Sequence, residues 1–192
     1  MGKLVALLGR SASGKDTVLG KLISEMSFKK VLPVTTRPVR PGEVNGLTYE
    51  FLSVDEFKKR EADGKFIETR SYNTLYNGNP DVWYYATSRD SIDLSCGNYA
   101  AIVDLNALDA LRREFGQNLL AVYITVPEEI RRARCMSRGD FSHEEWERRE
   151  ADDDKKYTKE ILREKIDLTI ENLDINVTFE KLKEFLSQNG CI

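Results

Sequence analysis

The opening of the chain constrains its fold more than any other feature. Residues 3–8 are an apolar run of strand length, the next nine read GRSASGKDT, and Val18, Leu19, Leu22, Ile23 and Met26 follow at helical spacing. Strand, glycine-rich turn and helix in that order make an anion cradle, because the N–H groups of the turn and of the helix start converge on one point. The pattern G-x-x-x-x-G-K-[ST] matches at Gly9, Gly14 and Lys15 and departs at Asp16. Gly9 and Gly14 permit the tight path, Ser11, Ala12 and Ser13 complete the loop, and Lys15 reaches the outer phosphates of a nucleoside triphosphate. Thr17 can offer its hydroxyl to the α-phosphate. The plain alternative is a Gly/Ser turn with a solvated lysine.

Asp16 stands where a magnesium-binding hydroxyl is usual. A bare carboxylate about 5 Å from a phosphate is repelled by a few kcal/mol at an effective dielectric of about 20. A magnesium ion between them reverses the sign, since that cation accepts carboxylate oxygen readily. Asp16 is therefore expected to be the metal ligand of a working ATP and Mg2+ site.

The rest of the chain continues the alternation. Residues 99–103 and 119–125 read as strands, Leu108, Leu111 and Phe115 mark a helix, Pro127 suits the first turn of another, and 168–170 and 177–186 close with a strand and a helix. Continuous apolar strands separated by helices predict a parallel sheet covered on both faces. Residues 35–87 differ, with turns, charge and aromatics. Ser53 to Glu56 is a capping box, 65–69 and 83–87 look like strands, and a polar loop with an Asn77-Gly78 turn lies between them. Ser142 is expected to start a charged helix running to about Arg163.

With 192 residues and 41% hydrophobic content, the chain can bury one core, and a net charge of -3 argues against a nucleic-acid partner. Three scattered cysteines suggest neither a metal site nor a disulfide framework and fit a cytoplasmic protein. The apolar start is too short for a membrane helix or signal peptide, and Ala6 argues against myristoylation of Gly2. No signal reports oligomeric state.

The segment TTRPVRPGEVNGLTYEF, residues 35–51, carries Arg37 and Arg40 three apart with stiffening prolines. Two guanidinium forks there can clamp a phosphate dianion, with the Tyr49 phenol beside them. This segment, GRSASGKDT, the FIE of residues 66–68 and the YAT of residues 85–87 together resemble the guanylate kinase family over nearly the whole chain. The resemblance implies a P-loop NTPase three-layer α/β fold with a parallel central sheet. It also implies one domain: a core of 1–34 and 88–192, an inserted monophosphate-binding subdomain of 35–87, and a helical lid at about 137–150. By the same resemblance Arg37, Arg40, Tyr49 and Tyr85 hold the acceptor phosphate. Glu68 accepts from guanine N1–H and the 2-amino group, and Thr87 donates to O6. Asp104 and Asn106 lie on the acceptor side, and Arg134, Arg138 and Arg149 cover the γ-phosphate. Lys15, Arg37 and those three arginines form the catalytic set, and the small-molecule partner is GMP or a similar nucleotide.

Four departures from the family pattern stand out: Asp16, Pro33 in place of a serine, Asn106 in place of an aspartate, and a longer segment at Tyr72–Val82. Asp16 is shared with the ribosyl bisphosphate phosphokinases, so a kinase of another monophosphate or of ribose 1,5-bisphosphate remains an alternative. A non-catalytic phosphopeptide-binding module is a further one. Arg131, Arg132 and Arg148 are expected to be solvated, His143 to lie at the surface, Trp83 and Trp146 to pack, and Tyr84 and Tyr85 to face opposite ways.

Overall fold

The alternation of apolar residues along the first strand determines how the layers stack. In the computed structural model, which describes residues 1–76, 78–137 and 143–191, that strand is β1 (Leu4–Leu8) and every residue of it is buried. Successive side chains of a strand point to opposite faces. Leu4, Ala6 and Leu8 accordingly join one apolar cluster and Val5 and Leu7 another. The glycine turn leads into α1 (Lys15–Met26), followed by the short strands β2 (Lys29–Lys30), β3 (Pro33–Thr35) and β4 (Glu50–Phe51). Next come α2 (Val54–Ala62), β5 (Phe66–Tyr76), β6 (Asn79–Ser88), β7 (Tyr99–Ile102), α3 (Leu105–Phe115) and β8 (Leu119–Thr125). The chain closes with α4 (Glu128–Met136), α5 (His143–Lys156), α6 (Lys159–Lys165), β9 (Leu168–Glu171) and α7 (Ile175–Gln188).

The central sheet has the order β2-β7-β1-β8-β9 and is parallel throughout. Leu108 and Leu111 of α3 cover one face, and Val18 and Leu22 of α1 with Phe179, Leu182 and Leu186 of α7 cover the other. Two helical layers around a parallel sheet are the expected arrangement, with no strand edge left inside the layers.

A second sheet, ordered β4-β3-β6-β5, is built from residues 33–88 and has its own small core of Val34, Phe57, Phe66 and Ala86. Ser53 caps α2 by accepting from the Glu56 N–H, as the capping box requires. The segment read as a polar loop is instead a long antiparallel hairpin. Its register runs from Glu68 opposite Thr87 to Tyr76 opposite Asn79. Gly78 lies between the two strands, and Asn77 of the expected turn lies outside the described residues. Polar side chains obscured the strands because the outer half of the hairpin is exposed on both faces.

The long charged helix divides in two. Thr158 accepts from the Ile161 N–H and begins α6, so α5 ends at Lys156 rather than continuing to Arg163. Arg138 and the interruption at 138–142 lie outside the described residues. Among the described residues no helix is long and apolar enough to cross a membrane.

Candidate active site

The turn after β1 follows a path that only particular residues allow. Gly14 has a φ of 94°, and a Cβ there would stand 2.3 Å from the Asn172 side-chain nitrogen. Gly9 has a φ of 148°, and a Cβ there would stand 2.3 Å from the Ile124 carbonyl oxygen. Ala12 also adopts the left-handed region, at φ 60°, which turns successive N–H groups toward a common concavity. Asn172 fastens this loop from behind. Its Nδ2 donates to the Ser13 carbonyl at 2.8 Å, and the Thr178 hydroxyl donates to its Oδ1 at 3.1 Å. Lys15 Nζ donates to the Gly9 and Arg10 carbonyls at 2.7 and 2.9 Å. The Ser13 hydroxyl is buried without a hydrogen-bond partner, a polar atom inside a loop otherwise lined by donors.

Helix α5 flanks the loop on its other side. The Arg10 guanidinium meets Glu150 at 3.3 Å and Asp154 at 2.6 Å. Asp153 accepts from the Ser11 N–H, and burial raises its pKa. Arg131, read from the sequence as solvated, is in fact buried. It forms two 2.6 Å bonds to Glu150, donates from Nε to the Val126 carbonyl at 3.1 Å, and lies over the Trp146 ring. The Glu150 carboxylate is held below its ordinary pKa, chiefly by this bond. Arg134 reaches the loop, donating to the Asn172 carbonyl at 3.1 Å and lining a 440 Å³ cavity with Ala12, Gly14 and Thr17. Arg149 lies on the exposed side of α5, as does His143. Trp146 is buried, as expected of a packing residue.

The second sheet presents the other half of the site. Arg37 is 4% exposed and clasped by Glu43 through Nη1 and Nη2, at 2.6 and 2.5 Å. Its guanidinium lies 4.7 Å from the Tyr49 ring centroid and 5.4 Å from that of Phe51. The hydrogen bonds between Arg37 and Glu43 raise the Arg37 pKa and lower that of Glu43 to about 2. Tyr85 faces Tyr49 and Tyr72, with ring centroids at 6.4 and 5.5 Å, while Tyr84 packs on Phe57. The two tyrosines thus take opposite faces of β6, as strand alternation demands. Arg40 lies near Arg37: its N–H donates to Glu43 at 2.9 Å, and both arginine charges act on Tyr85. It is exposed, and its guanidinium stacks 5.9 Å from the Trp83 ring centroid on the hairpin.

Glu68 Oε1 accepts the Thr87 hydroxyl at 2.8 Å. Burial raises the Glu68 pKa. Arg70, which the sequence reading did not single out, lies between two carboxylates: Nε is 3.1 Å from Glu68 and Nη1 is 2.7 Å from Asp104. Asp104 also accepts from the Tyr72 hydroxyl at 3.2 Å and caps α3 through the Ala107 N–H at 2.9 Å. Asn106 is exposed beside it and lines a cleft of about 610 Å³ with Arg70, Tyr72 and Asp104.

The two halves meet. A crevice of about 180 Å³ is lined by Asp16 and Leu19 from α1, Pro33, Tyr49, Arg70 and Thr87 from the second sheet, and 101–103 from the end of β7. Among the described residues there is no ready-made cluster of three or more metal-ligating side chains. Magnesium does not require one, since one or two carboxylates and the substrate's phosphates suffice. Asp16, an exposed hard oxygen donor in the first turn of α1, fits that need.

The chain resembles known proteins along most of its length. A family profile described as guanylate kinase matches residues 1–189. A guanylate kinase of Symbiobacterium thermophilum is 35% identical over 155 residues, spanning 79% of this chain and 70% of that protein. The Porphyromonas gingivalis guanylate kinase is 29% identical and spans 98% of both. The crystal structure of guanylate kinase from Anaplasma phagocytophilum superposes with a TM-score of 0.66 at 20% identity, covering 97% of this chain and 85% of that one. The parallel sheet, the glycine turn and these matches agree: the chain belongs to the guanylate kinase family.

Proposed function

We propose that the chain transfers the γ-phosphoryl group of ATP to GMP, forming ADP and GDP. One observation carries this reading: the start of α1 and the monophosphate-side residues Tyr49 and Thr87 line the same crevice. A donor anchored on the glycine turn and an acceptor anchored on the second sheet then meet end to end.

The loop residues Gly9, Ser11, Ala12, Ser13, Gly14, Lys15 and Thr17 bind the triphosphate through N–H groups, hydroxyls and the lysine ammonium. Asp16 would hold the magnesium ion, which when bound neutralises charge on the phosphates. Arg37, Tyr49 and Tyr85 bind the acceptor phosphate, with Arg40 at the rim. Glu68 reads the base, and Asp104 and Asn106 border it. Arg138 and Arg149 belong to the lid, about 137–150, which closes over the donor and excludes water, and Arg134 joins them from the end of α4. The acceptor phosphate is already an anion at neutral pH, so no general base is required. Positioning and charge neutralisation supply the catalysis. A sugar bisphosphate offers no base edge for Glu68 to read. The three free cysteines support a reducing, cytoplasmic setting.

The test is ADP release with a panel of acceptors. GMP should turn over fastest. Fast turnover of ribose 1,5-bisphosphate with none of GMP would overturn the reading.

A further inference from the structure

We infer that Arg70 is a second base-reading residue: its Nε–H donates to the purine 6-carbonyl oxygen while Glu68 accepts from the neighbouring ring N–H. This rests on the proposed GMP specificity and deepens it.

Glu68 and Arg70 are two apart on β5, so their side chains share a face. Both are largely buried, with side chains 6% and 18% exposed. Their facing atoms, Oε2 and Nε, are 3.1 Å apart, yet neither has an aligned hydrogen-bond partner. Ion contact without alignment leaves one acceptor and one donor side by side and unsatisfied, and buried groups in that state are costly unless something satisfies them. Guanine carries the complementary pair on adjacent atoms, O6 as acceptor and N1–H as donor.

The alternative donor for O6 is Thr87, and its proton is committed to Glu68 at 2.8 Å. Arg70 is also fixed from behind. Its Nη1 bonds Asp104, which is itself held by the Tyr72 hydroxyl and the Ala107 N–H. Arg70 lines both the 180 Å³ crevice and the 610 Å³ cleft. With the acceptor phosphate held at Arg37 and Tyr49, the purine cannot reverse its edge. Adenine in the same pose would set its 6-amino group against Arg70 and its bare N1 against Glu68, two repulsive contacts. The pair therefore selects the 6-oxo purine by attraction and rejects the 6-amino purine by mismatch.

The test compares the unaltered protein and Arg70→Met on GMP, on the analogue with sulfur in place of O6, and on AMP. GMP turnover by the unaltered protein comes first; its failure overturns the GMP reading itself. Given turnover, R70M should lose roughly 10- to 100-fold in kcat/KM for GMP, the worth of a hydrogen bond from a charged donor. Its preference for GMP over AMP should fall with it, and ATP affinity should be unchanged. Sulfur should cost the unaltered protein about fivefold and R70M less than about twofold, the coupling expected only of groups in contact. Equal sulfur factors in both proteins would overturn the assignment while leaving GMP kinase activity intact. If R70M does not fold, Arg70→Met combined with Asp104→Asn, which neutralises the carboxylate left without its partner and keeps the α3 cap, enters the same comparison, and equal factors overturn the assignment there too.

Discussion

Glu43 clasps the Arg37 guanidinium with both carboxylate oxygens, at 2.6 and 2.5 Å, in a position where Arg37 is only 4% exposed. Removing one partner of a buried ion pair leaves a charge with no counter-ion, which costs about 3–5 kcal/mol. Glu43→Ala should therefore lower unfolding free energy by about 3 kcal/mol. Arg37 in the variant lacks an anion, and the acceptor phosphate of GMP supplies one. GMP should raise the melting temperature of E43A more than that of the unaltered protein. Equal shifts in a thermal melt would place the acceptor phosphate away from Arg37.

The same pair sets an acid response. Glu43 has its pKa lowered from 4.5 to about 2 in the fold. A depressed carboxylate contributes stability that is complete above its unfolded pKa and is lost as pH falls through the folded one. The stability gap between the unaltered protein and Glu43→Gln should hold at about pH 5 and above, then shrink steadily toward about pH 2. Urea midpoints measured across that window check it, and a constant gap would contradict it. Glu68 moves the other way, because burial raises its pKa above 4.5. The protonated acid cannot accept from both guanine donors. The KM for GMP should begin to rise on acidification at a higher pH than an ordinary glutamate would give, with the KM for ATP flat.

The central sheet was legible because its chemistry is redundant. Val5 and Leu7 face one layer and Leu4, Ala6 and Leu8 the other, so a strand buried on both faces must be apolar at every position. The glycine turn was legible for a similar reason, since few sequences tolerate left-handed backbone there. The hairpin of β5 and β6 was not, because its outer half is exposed on both faces and its polar residues read as loop. Arg131 failed for a different reason. A charged residue is buried only when its partner is known, and Glu150 lies nineteen positions away on another helix. Arg70 could have been found, because strand alternation puts it beside Glu68. Asn172 gave no signal, as one asparagine after a short strand has no pattern of its own.

Asn172 should nonetheless be among the most sensitive positions in the donor half. It is buried, and its amide joins the Ser13 carbonyl to the Thr178 hydroxyl across two elements. Asn172→Leu keeps the branched heavy-atom outline, adds bulk and removes both bonds, leaving the Ser13 carbonyl unpaired and the Thr178 hydroxyl with only its longer 3.4 Å contact to the Glu171 carbonyl. The cost should be about 2–4 kcal/mol. ATP affinity should fall because the loop loses its fastening, while GMP binding is unaffected. Denaturant titration with separate ATP and GMP binding isotherms checks this. A parallel loss of both ligands would assign Asn172 to the general core instead.

Asp16 gives the sharpest test of the variant loop. It lies in the first turn of α1, where the helix N-terminus favours a negative side chain even without a ligand. Two roles therefore compete, a helix-stabilising charge and a magnesium ligand, and they differ in what replaces the carboxylate. If the charge alone matters, Asp16→Asn should cost about 0.5 kcal/mol of stability and leave nucleotide binding unchanged. If Asp16 holds the cation, ATP should bind the unaltered protein more tightly with magnesium than without, and D16N should lose that difference. Asp16→Ser restores a hydroxyl at the position where such loops usually carry one, and should recover part of the magnesium dependence without recovering the helix charge. Calorimetric titration of ATP with and without magnesium reads all three proteins without requiring turnover. Identical magnesium dependence in D16N and the unaltered protein would remove Asp16 from the metal site.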